Sequence, residues 1–283
     1  TGKDKVAICG YHGWHDWYIS VNHNDSSGLD DHLLPGLEPK GIPKNLKNTV
    51  FPFNYNDYEQ LVKICDENDI GVIKMEVVRN FGPEHNFLQK VRELATIRGI
   101  VLIFDECTSG FRETFGGIHK KYSVNPDMAM FGKTIGNGYA LTAVVGIKEV
   151  MSSVEVTFIS STFWTERIGP TAALKTLEVM QNLQSWELIT DIGLKIREGW
   201  SAIFKKYKPG VYGGNFYSLI GYTFAQAQMF TKKCRQDLYK TINDKRFSGD
   251  IDADYISKLD KLYSYKNPLI VQLFPKTENK SNW

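Results

Sequence analysis

Asp105 and Lys133 are the two residues whose chemical types and sequence settings first indicate a reactive site. Asp105 ends the apolar run "IVLIF", and Lys133 follows the apolar segment "MAMFG". Thr134 and two glycines, Gly136 and Gly138, come directly after the lysine. A lysine in this setting can bind a phosphate group, as in a nucleotide-binding loop, or act as an amine on a carbonyl group.

A nucleotide-binding loop has the pattern G-x-x-x-x-G-K-[ST], because several backbone N–H groups must surround the phosphates before the lysine reaches them. Gly132, Lys133 and Thr134 match the end of this pattern, but Asp127 stands where the first glycine is needed. The segment before the lysine is apolar and strand-like, and the acidic strand end "FDE" precedes the lysine instead of following it. The sequence therefore disfavours a nucleotide-binding protein.

The same residues fit carbonyl chemistry. Asp105 and Lys133 each follow a predicted parallel strand, so both fall at the carboxyl edge of a sheet, where open α/β sheets bind ligands. A lysine held there among apolar residues can be deprotonated and form a Schiff base with an aldehyde. A buried carboxylate opposite could pair with a protonated pyridine nitrogen, and pyridoxal 5'-phosphate (PLP) requires this combination. Gly136 and Gly138 would let the backbone approach a bulky cofactor.

The segment "VLIFDECTSGFRETFGGIHKKYSVNPDMAMFGKTIGNGYALTAVVG" resembles the core of class III PLP-dependent aminotransferases of the glutamate-1-semialdehyde 2,1-aminomutase type. The shared pattern is an apolar strand, D-E, a T-G-F-R turn, a P-D strand and G-K-x-I-G-x-G. The resemblance implies a fold-type I α/β structure, with a mostly parallel sheet flanked by helices. We expect a PLP-binding large domain over residues 1–177 and a smaller C-terminal α/β domain over residues 178–283.

The resemblance also implies roles for individual residues around the cofactor. Lys133 would form the Schiff base and Asp105 would pair with the pyridine nitrogen. In "GYHGWHDWY", Tyr11 would stack on the pyridine ring and His12 would support it, with Cys107 on the opposite side of the ring. The implied reaction is amino-group transfer, or an intramolecular aminomutase reaction, on an amino-acid, semialdehyde or keto-sugar substrate.

Two further positions match the pattern of the family. Thr162, in "SSTFWTERIG", would reach the phosphate of the neighbouring subunit's cofactor, which implies a homodimer, and Glu76 stands where relatives carry the acid of V-E-P. Thr1 begins where the family reads R-x-x-T-G-[RK]-D-K, so we expect an amino-terminally truncated chain or fragment. Such a chain would lack part of the phosphate site, and a catalytically inactive relative that serves as a structural partner is the alternative.

Other polar residues have plainer interpretations. His12 and His15 have no third partner at a spacing typical of metal ligands, so no metal site is expected. Arg112 is interpreted as a structural pairing residue, and Glu106 as a partner in a hydrogen-bond network.

The predicted secondary structure explains how the reactive residues come together. Strand-like segments alternate with helical ones from Lys5 to about Ile168, which indicates a doubly wound α/β layer structure, and two further helical patterns and a strand-like "YSLIGYTF" follow. The formal net charge is +2, with acids and bases interspersed, and no apolar run has the length of a membrane span. These features disfavour nucleic-acid and membrane partners. Four scattered cysteines indicate reduced thiols and a cytoplasmic location.

Overall fold

A computed structural model of the chain describes residues 1–30, 32, 37–78, 82–160 and 165–207. Within this part of the chain, six strands form one sheet in the spatial order β2-β1-β3-β4-β5-β6. The strands are β1 (Lys5–Cys9), β2 (Val50–Pro52), β3 (Ile70–Met75), β4 (Val101–Asp105), β5 (Met128–Phe131) and β6 (Ala143–Gly146). The helices are α1 (Asp16–Ile19), α2 (Tyr58–Glu67), α3 (Phe87–Arg98), α4 (Lys148–Met151), α5 (Ile168–Leu183) and α6 (Ser185–Tyr207).

The sheet is parallel from β2 through β5, and β6 joins β5 in the antiparallel direction. The chain therefore leaves β1, β3, β4 and β5 at the same edge of the sheet. This mostly parallel sheet with flanking helices confirms the fold class predicted from the alternation of strands and helices.

The helices begin and end where the sequence signals them. Asp57 caps α2, and its side chain accepts a hydrogen bond from the Gln60 backbone N–H at 2.9 Å. Gly99 ends α3 in the left-handed conformation, with a φ of 62°, which glycine adopts without a steric penalty. Both helices lie in crossovers between parallel strands, as the βαβ unit requires.

Both faces of the sheet are covered, and successive strand residues point to opposite sides. Ala7 and Cys9 of β1 join the core cluster that contains Leu61 of α2 and Val91 of α3. Ile8, between them, joins a second cluster that contains Tyr18, Val21, Leu29 and Val50. This alternation explains the apolar run Val6–Cys9 of β1, because a strand buried on both faces has apolar residues at most positions.

Helices α5 and α6 follow the sheet. Ala173 of α5 packs with Ala129, Phe131 and Ile135 near the end of β5. Residue 178, where we placed the domain boundary, lies inside α5. The segment "YSLIGYTF" and most of the expected C-terminal domain lie outside the described residues, so the division into two domains stays a prediction. In the described part of the chain, we find no helix with the length and apolar character needed to cross a membrane.

Candidate active site

Four parallel strands bring the predicted site residues to one edge of the sheet. Gly10, Tyr11 and His12 follow β1, Glu76 follows β3, and Asp105 ends β4. Lys133 comes after β5, which pairs with β4 through Asp105 and Met130. Asp105 and Lys133 therefore follow adjacent strands that leave the sheet at one edge, as their sequence settings predicted, while the roles of these residues stay predictions.

Asp105 is the centre of this edge and is only 7% exposed. One carboxylate oxygen, Oδ2, lies 3.0 Å from His12 Nδ1 and 3.3 Å from Lys74 Nζ. The other oxygen, Oδ1, accepts a hydrogen bond from the Cys107 backbone N–H at 3.2 Å. A carboxylate offers about four acceptor positions, so three partners leave Asp105 with capacity for one more donor.

The neighbours of Asp105 keep it ionised. Burial alone raises the pKa of this carboxyl group, but the hydrogen bond with His12 and the charge of Lys74 outweigh burial and hold the pKa well below its ordinary value. Burial lowers the pKa of His12, its hydrogen bond to Asp105 opposes that effect, and the Lys74 charge adds to the lowering. A neutral His12 beside an ionised carboxylate donates from Nδ1, which leaves Nε2 as an acceptor.

Lys133 lies on the turn after β5. Its side chain is exposed, and Nζ donates a hydrogen bond to Thr108 Oγ1 at 2.8 Å. The sequence led us to expect a lysine held among apolar residues, and this was wrong for the described part of the chain, because the turn carries Lys133 beyond the packed edge. Gly136 is needed within the turn itself, since a Cβ there would collide with the Tyr139 carbonyl, and its approach to a cofactor stays a prediction.

Tyr11 and Glu76 are joined across the ends of β1 and β3. The Tyr11 backbone N–H donates to Glu76 Oε2 at 2.9 Å, and the half-buried Tyr11 ring meets the Tyr18 ring edge to face. Gly10 leaves room for this contact, because a Cβ on its left-handed backbone would collide with the Glu76 carboxylate. Glu76 therefore fixes the position of Tyr11 through the backbone, a role that the sequence did not reveal.

Cys107 and Glu106 follow Asp105 but differ in their surroundings. Burial raises the pKa of the half-buried Cys107 thiol to about 11, and the Asp105 charge adds to this, so the thiol is protonated at neutral pH. Glu106 is fully buried and accepts hydrogen bonds from Ser109 Oγ, from the Ile118 and His119 backbone N–H groups, and from His119 Nδ1. The prediction that Glu106 is a network partner is confirmed.

Three other residues singled out from the sequence remain to be placed. Thr162 lies outside the described residues, so its assignment to a phosphate stays a prediction. Arg112 Nε donates to the Thr108 backbone carbonyl at 2.6 Å, which is the structural pairing expected for it. His15 contacts the His12 carbonyl and stacks on Trp17. Among the residues that the structure describes, we find no group of three or more His, Cys, Asp or Glu side chains arranged to hold a metal ion.

Two contacts of the site were not anticipated from the sequence. Lys74 is 9% exposed and pairs with Asp105, and Thr108 contacts Lys133. Lys74 had a detectable signal, because a lone lysine in the apolar run "IGVIKM" needs a buried partner. Thr108 had none, since a threonine in a turn is ordinary.

The edge combines an ionised, buried carboxylate that has a spare acceptor position with an exposed primary amine. These are the two groups that the resemblance assigned to the pyridine nitrogen and the aldehyde of PLP. Within the described residues, the buried atoms His12 Nε2 and Thr134 Oγ1 have no hydrogen-bond partner, so the edge keeps unused polar capacity. The residues present therefore fit PLP at its ring and aldehyde.

Comparisons with known proteins agree with this geometry. Residues 80–213 match the sequence model of the family described as aminotransferase class III. The chain is 37% identical over 204 residues to the 3-aminobutyryl-CoA aminotransferase of Cloacimonas acidaminovorans (strain Evry), covering 69% of this chain and 45% of the relative. The chain thus spans about half the length of this curated relative.

Solved structures of transaminases share the fold. An omega-transaminase from Sphaerobacter thermophilus aligns with a TM-score of 0.61 and 25% identity, over 74% of this chain and 50% of that chain. The PLP internal aldimine form of the FumI protein from Sphingopyxis sp. MTA144 aligns with a TM-score of 0.62 and 21% identity, over 72% of this chain and 48% of that chain. The fold-type I architecture is therefore confirmed.

Proposed function

We propose that this chain, which matches the class III aminotransferase model over residues 80–213 and is 37% identical to a curated aminotransferase, binds PLP and transfers amino groups between small molecules. The observation that carries the proposal is the meeting of Asp105 and Lys133 at adjacent strand ends. Asp105 accepts from the Cys107 N–H, and the next residue, Thr108, accepts from Lys133. Two hydrogen bonds, linked by the peptide bond between Cys107 and Thr108, therefore join the carboxylate to the amine.

The proposed roles follow from the surroundings of each residue. When bound, PLP supplies an aldehyde that takes up an amino group and a ring that withdraws electrons once its nitrogen is protonated. Asp105 holds the proton on that nitrogen, because it is ionised and has an acceptor position left. Lys133 is the amine that reaches the aldehyde, and it moves the proton of the amino transfer, since it lies at the open side of the edge.

Five more residues complete the proposed cofactor site. Tyr11 stacks on one face of the PLP ring, and Cys107 lies at the opposite face. His12 orients Asp105 through the hydrogen bond between its Nδ1 and the carboxylate. Glu76 acts on Tyr11 through its backbone N–H. Thr162 is assigned to the phosphate of the neighbouring subunit's cofactor.

We propose as substrates a small amino donor and acceptor of the amino-acid, semialdehyde or keto-sugar type. An intramolecular aminomutase reaction would use the same residues and differ in needing no separate acceptor. The measurement that separates the two is turnover of a single substrate with and without an added keto acid.

We also propose that the protein is a cytoplasmic homodimer with its sites at the subunit interface. Support comes from Val156 and Phe158, which are 90% and 94% exposed and lie close in sequence to Thr162. Large apolar side chains this exposed are typical of surfaces that another chain covers. The described cysteines, Cys9, Cys65 and Cys107, are free thiols, as in a reducing compartment.

The proposed function is tested by adding PLP to the chain and following visible absorbance and transfer of an amino group to a keto acid. We expect PLP to produce the absorbance of a bound imine and the protein to release a new amino acid. Binding without transfer would support the inactive relative in place of the enzyme. Thermal stabilisation by nucleotides in place of PLP would overturn the assignment.

A further inference from the structure

Lys74 is a buried lysine inside a strand that is otherwise apolar. It lies in register between Ile8 of β1 and Ile103 of β4, and its side chain is 11% exposed. Burying an ammonium group among such neighbours is costly unless the charge is paired. The ion-pair partner of Lys74 in the described structure is Asp105, at 3.3 Å.

Strand geometry explains why this pairing forms. Residues two apart on a strand point to the same face, so Asp105 lies on the face of Ile103, with which Lys74 is in register. Two residues of strand span about 6.6 Å, a distance that a lysine side chain can bridge. Lys74 therefore extends along the sheet face toward the carboxyl edge and ends at the Asp105 carboxylate.

The charged and titratable groups that meet at this point come from four strands. They are His12 after β1, Lys74 and Glu76 on and after β3, Asp105 and Cys107 on and after β4, and Lys133 after β5. Lys74 is the buried cation of this set, and it acts on both members of the Asp105–His12 pair. It favours the negative charge of Asp105 and disfavours a positive charge on His12.

We propose that Lys74 is a positioning residue of the site, which holds Asp105 ionised and His12 neutral. With Lys74 present, Asp105 Oδ2 contacts both His12 and Lys74. The Lys74 charge disfavours a second proton on His12. The carboxylate then keeps one charge and one orientation. Its remaining acceptor position serves the PLP ring nitrogen. Only this use of the remaining position rests on the proposed function.

The experiment measures the pKa of the His12 ring by NMR titration of the full chain labelled with ¹⁵N-histidine. The test variant is Lys74→Gln, which removes the Lys74 charge but keeps a hydrogen-bond donor for Asp105. The His12 signal is assigned by its absence in His12→Asn. We expect the pKa of His12 to rise by about one unit or more in Lys74→Gln, the size expected of a nearby charge. Lys74→Arg should keep the parent value. Lys5→Gln is the matched control, because Lys5 lies at the other end of β1 and bonds Asn68.

The proposal is overturned if the pKa of His12 is the same in Lys74→Gln as in the parent. It is also overturned if Lys74→Arg raises the pKa of His12 as much as Lys74→Gln does. Should Lys74→Gln not fold, the double variant Asp105→Asn/Lys74→Met is compared with Asp105→Asn, because the double variant leaves neither buried charge unpaired. Residue 105 is neutral in both, so loss of the Lys74 charge must raise the pKa of His12 in the double variant, and equal values contradict the proposal. None of these readings needs a cofactor, so a chain that fails to bind PLP counts against the proposed function alone.

Discussion

Lys133 Nζ donates a hydrogen bond to Thr108 Oγ1 at 2.8 Å, and this contact joins the turn after β5 to the turn after β4. Lys133 has a φ of 43°, so its backbone lies in the left-handed region. Thr108 lies one residue beyond Cys107, whose backbone N–H holds Asp105. The turn after β4 therefore places the amine relative to the carboxylate.

We expect Thr108→Val to lower the rate of amino transfer by up to about tenfold, because a net hydrogen bond of about 1 kcal/mol that orients the amine is lost. Thr108→Ser keeps the hydroxyl group and should restore the parent rate. The measurement is kcat for both variants beside their PLP affinity, which should change little. Equal rates for the valine and serine variants would show that the hydroxyl has no part in the reaction.

We expect borohydride reduction of the PLP-loaded protein to fix the pyridoxyl group on Lys133. The reason is that Lys133 is the exposed amine at the edge that carries Asp105. Peptide mapping by mass spectrometry identifies the labelled lysine, and Lys133→Ala should remove the label. Lys148→Ala, on the exposed helix α4, serves as the control and should be labelled normally at Lys133. A pyridoxyl group on any other lysine contradicts the assignment.

Asp105→Asn should lower turnover by about a hundredfold or more, as losses of preorganised charge in active sites do, and it should also lower stability because the buried Lys74 charge loses its partner. The amide cannot keep the ring nitrogen protonated, although it can still accept from His12 or Lys74. Circular dichroism checks the fold, and single-turnover kinetics measure the loss. Asp66→Asn, at an exposed pair with Arg98, is the matched control. Turnover within a few-fold of the parent would rule out the proposed role.

Glu106→Gln should destabilise the protein without touching the reacting groups. Glu106 is fully buried among four donors, and an amide NH₂ in place of one oxygen leaves at least one donor without an acceptor, at a cost of about 1–3 kcal/mol. Urea denaturation measures the free energy of unfolding. Glu113→Gln, which removes a partly exposed pair with Lys121, should cost much less. Equal losses in both variants would contradict this account.

The stability of the protein should fall as the pH is lowered below about 6.5, the ordinary pKa of histidine. Burial lowers the pKa of His12 in the folded chain, so in this window the unfolded chain binds a proton that the folded chain does not. The depressed pKa of Asp105 adds a loss of the same sign below about 3.8. Each unit of pKa difference corresponds to about 1.4 kcal/mol.

The measurement is urea denaturation at about pH 7.5 and 5.5 for the parent and for His12→Asn. The variant lacks the titrating ring, so its free energy of unfolding should change less between the two conditions. A variant that loses as much stability as the parent would show that other groups cause the pH dependence.

Local sequence was enough to predict the strands and helices of the sheet and the chemistry of its edge. Apolar runs that end in Asp105 or in Gly132-Lys133 identify strand ends, because most positions of a strand buried on both faces are apolar. Asp57 and Gly99 mark helix ends, since capping depends on a few neighbouring residues. These features need only information that lies within a few residues of each position.

The contacts within the site were decided by the tertiary structure. Lys74 meets Asp105 because β3 lies beside β4 in one register, and no local pattern encodes the register between strands that are separated in sequence. Glu76 reaches the Tyr11 backbone for the same reason. The exposure of Lys133 depends on how its turn leaves the sheet. The sequence alone therefore determined which groups reach the edge. The pairing of strands decided which of these groups contact one another, and so which charge states and orientations they favour.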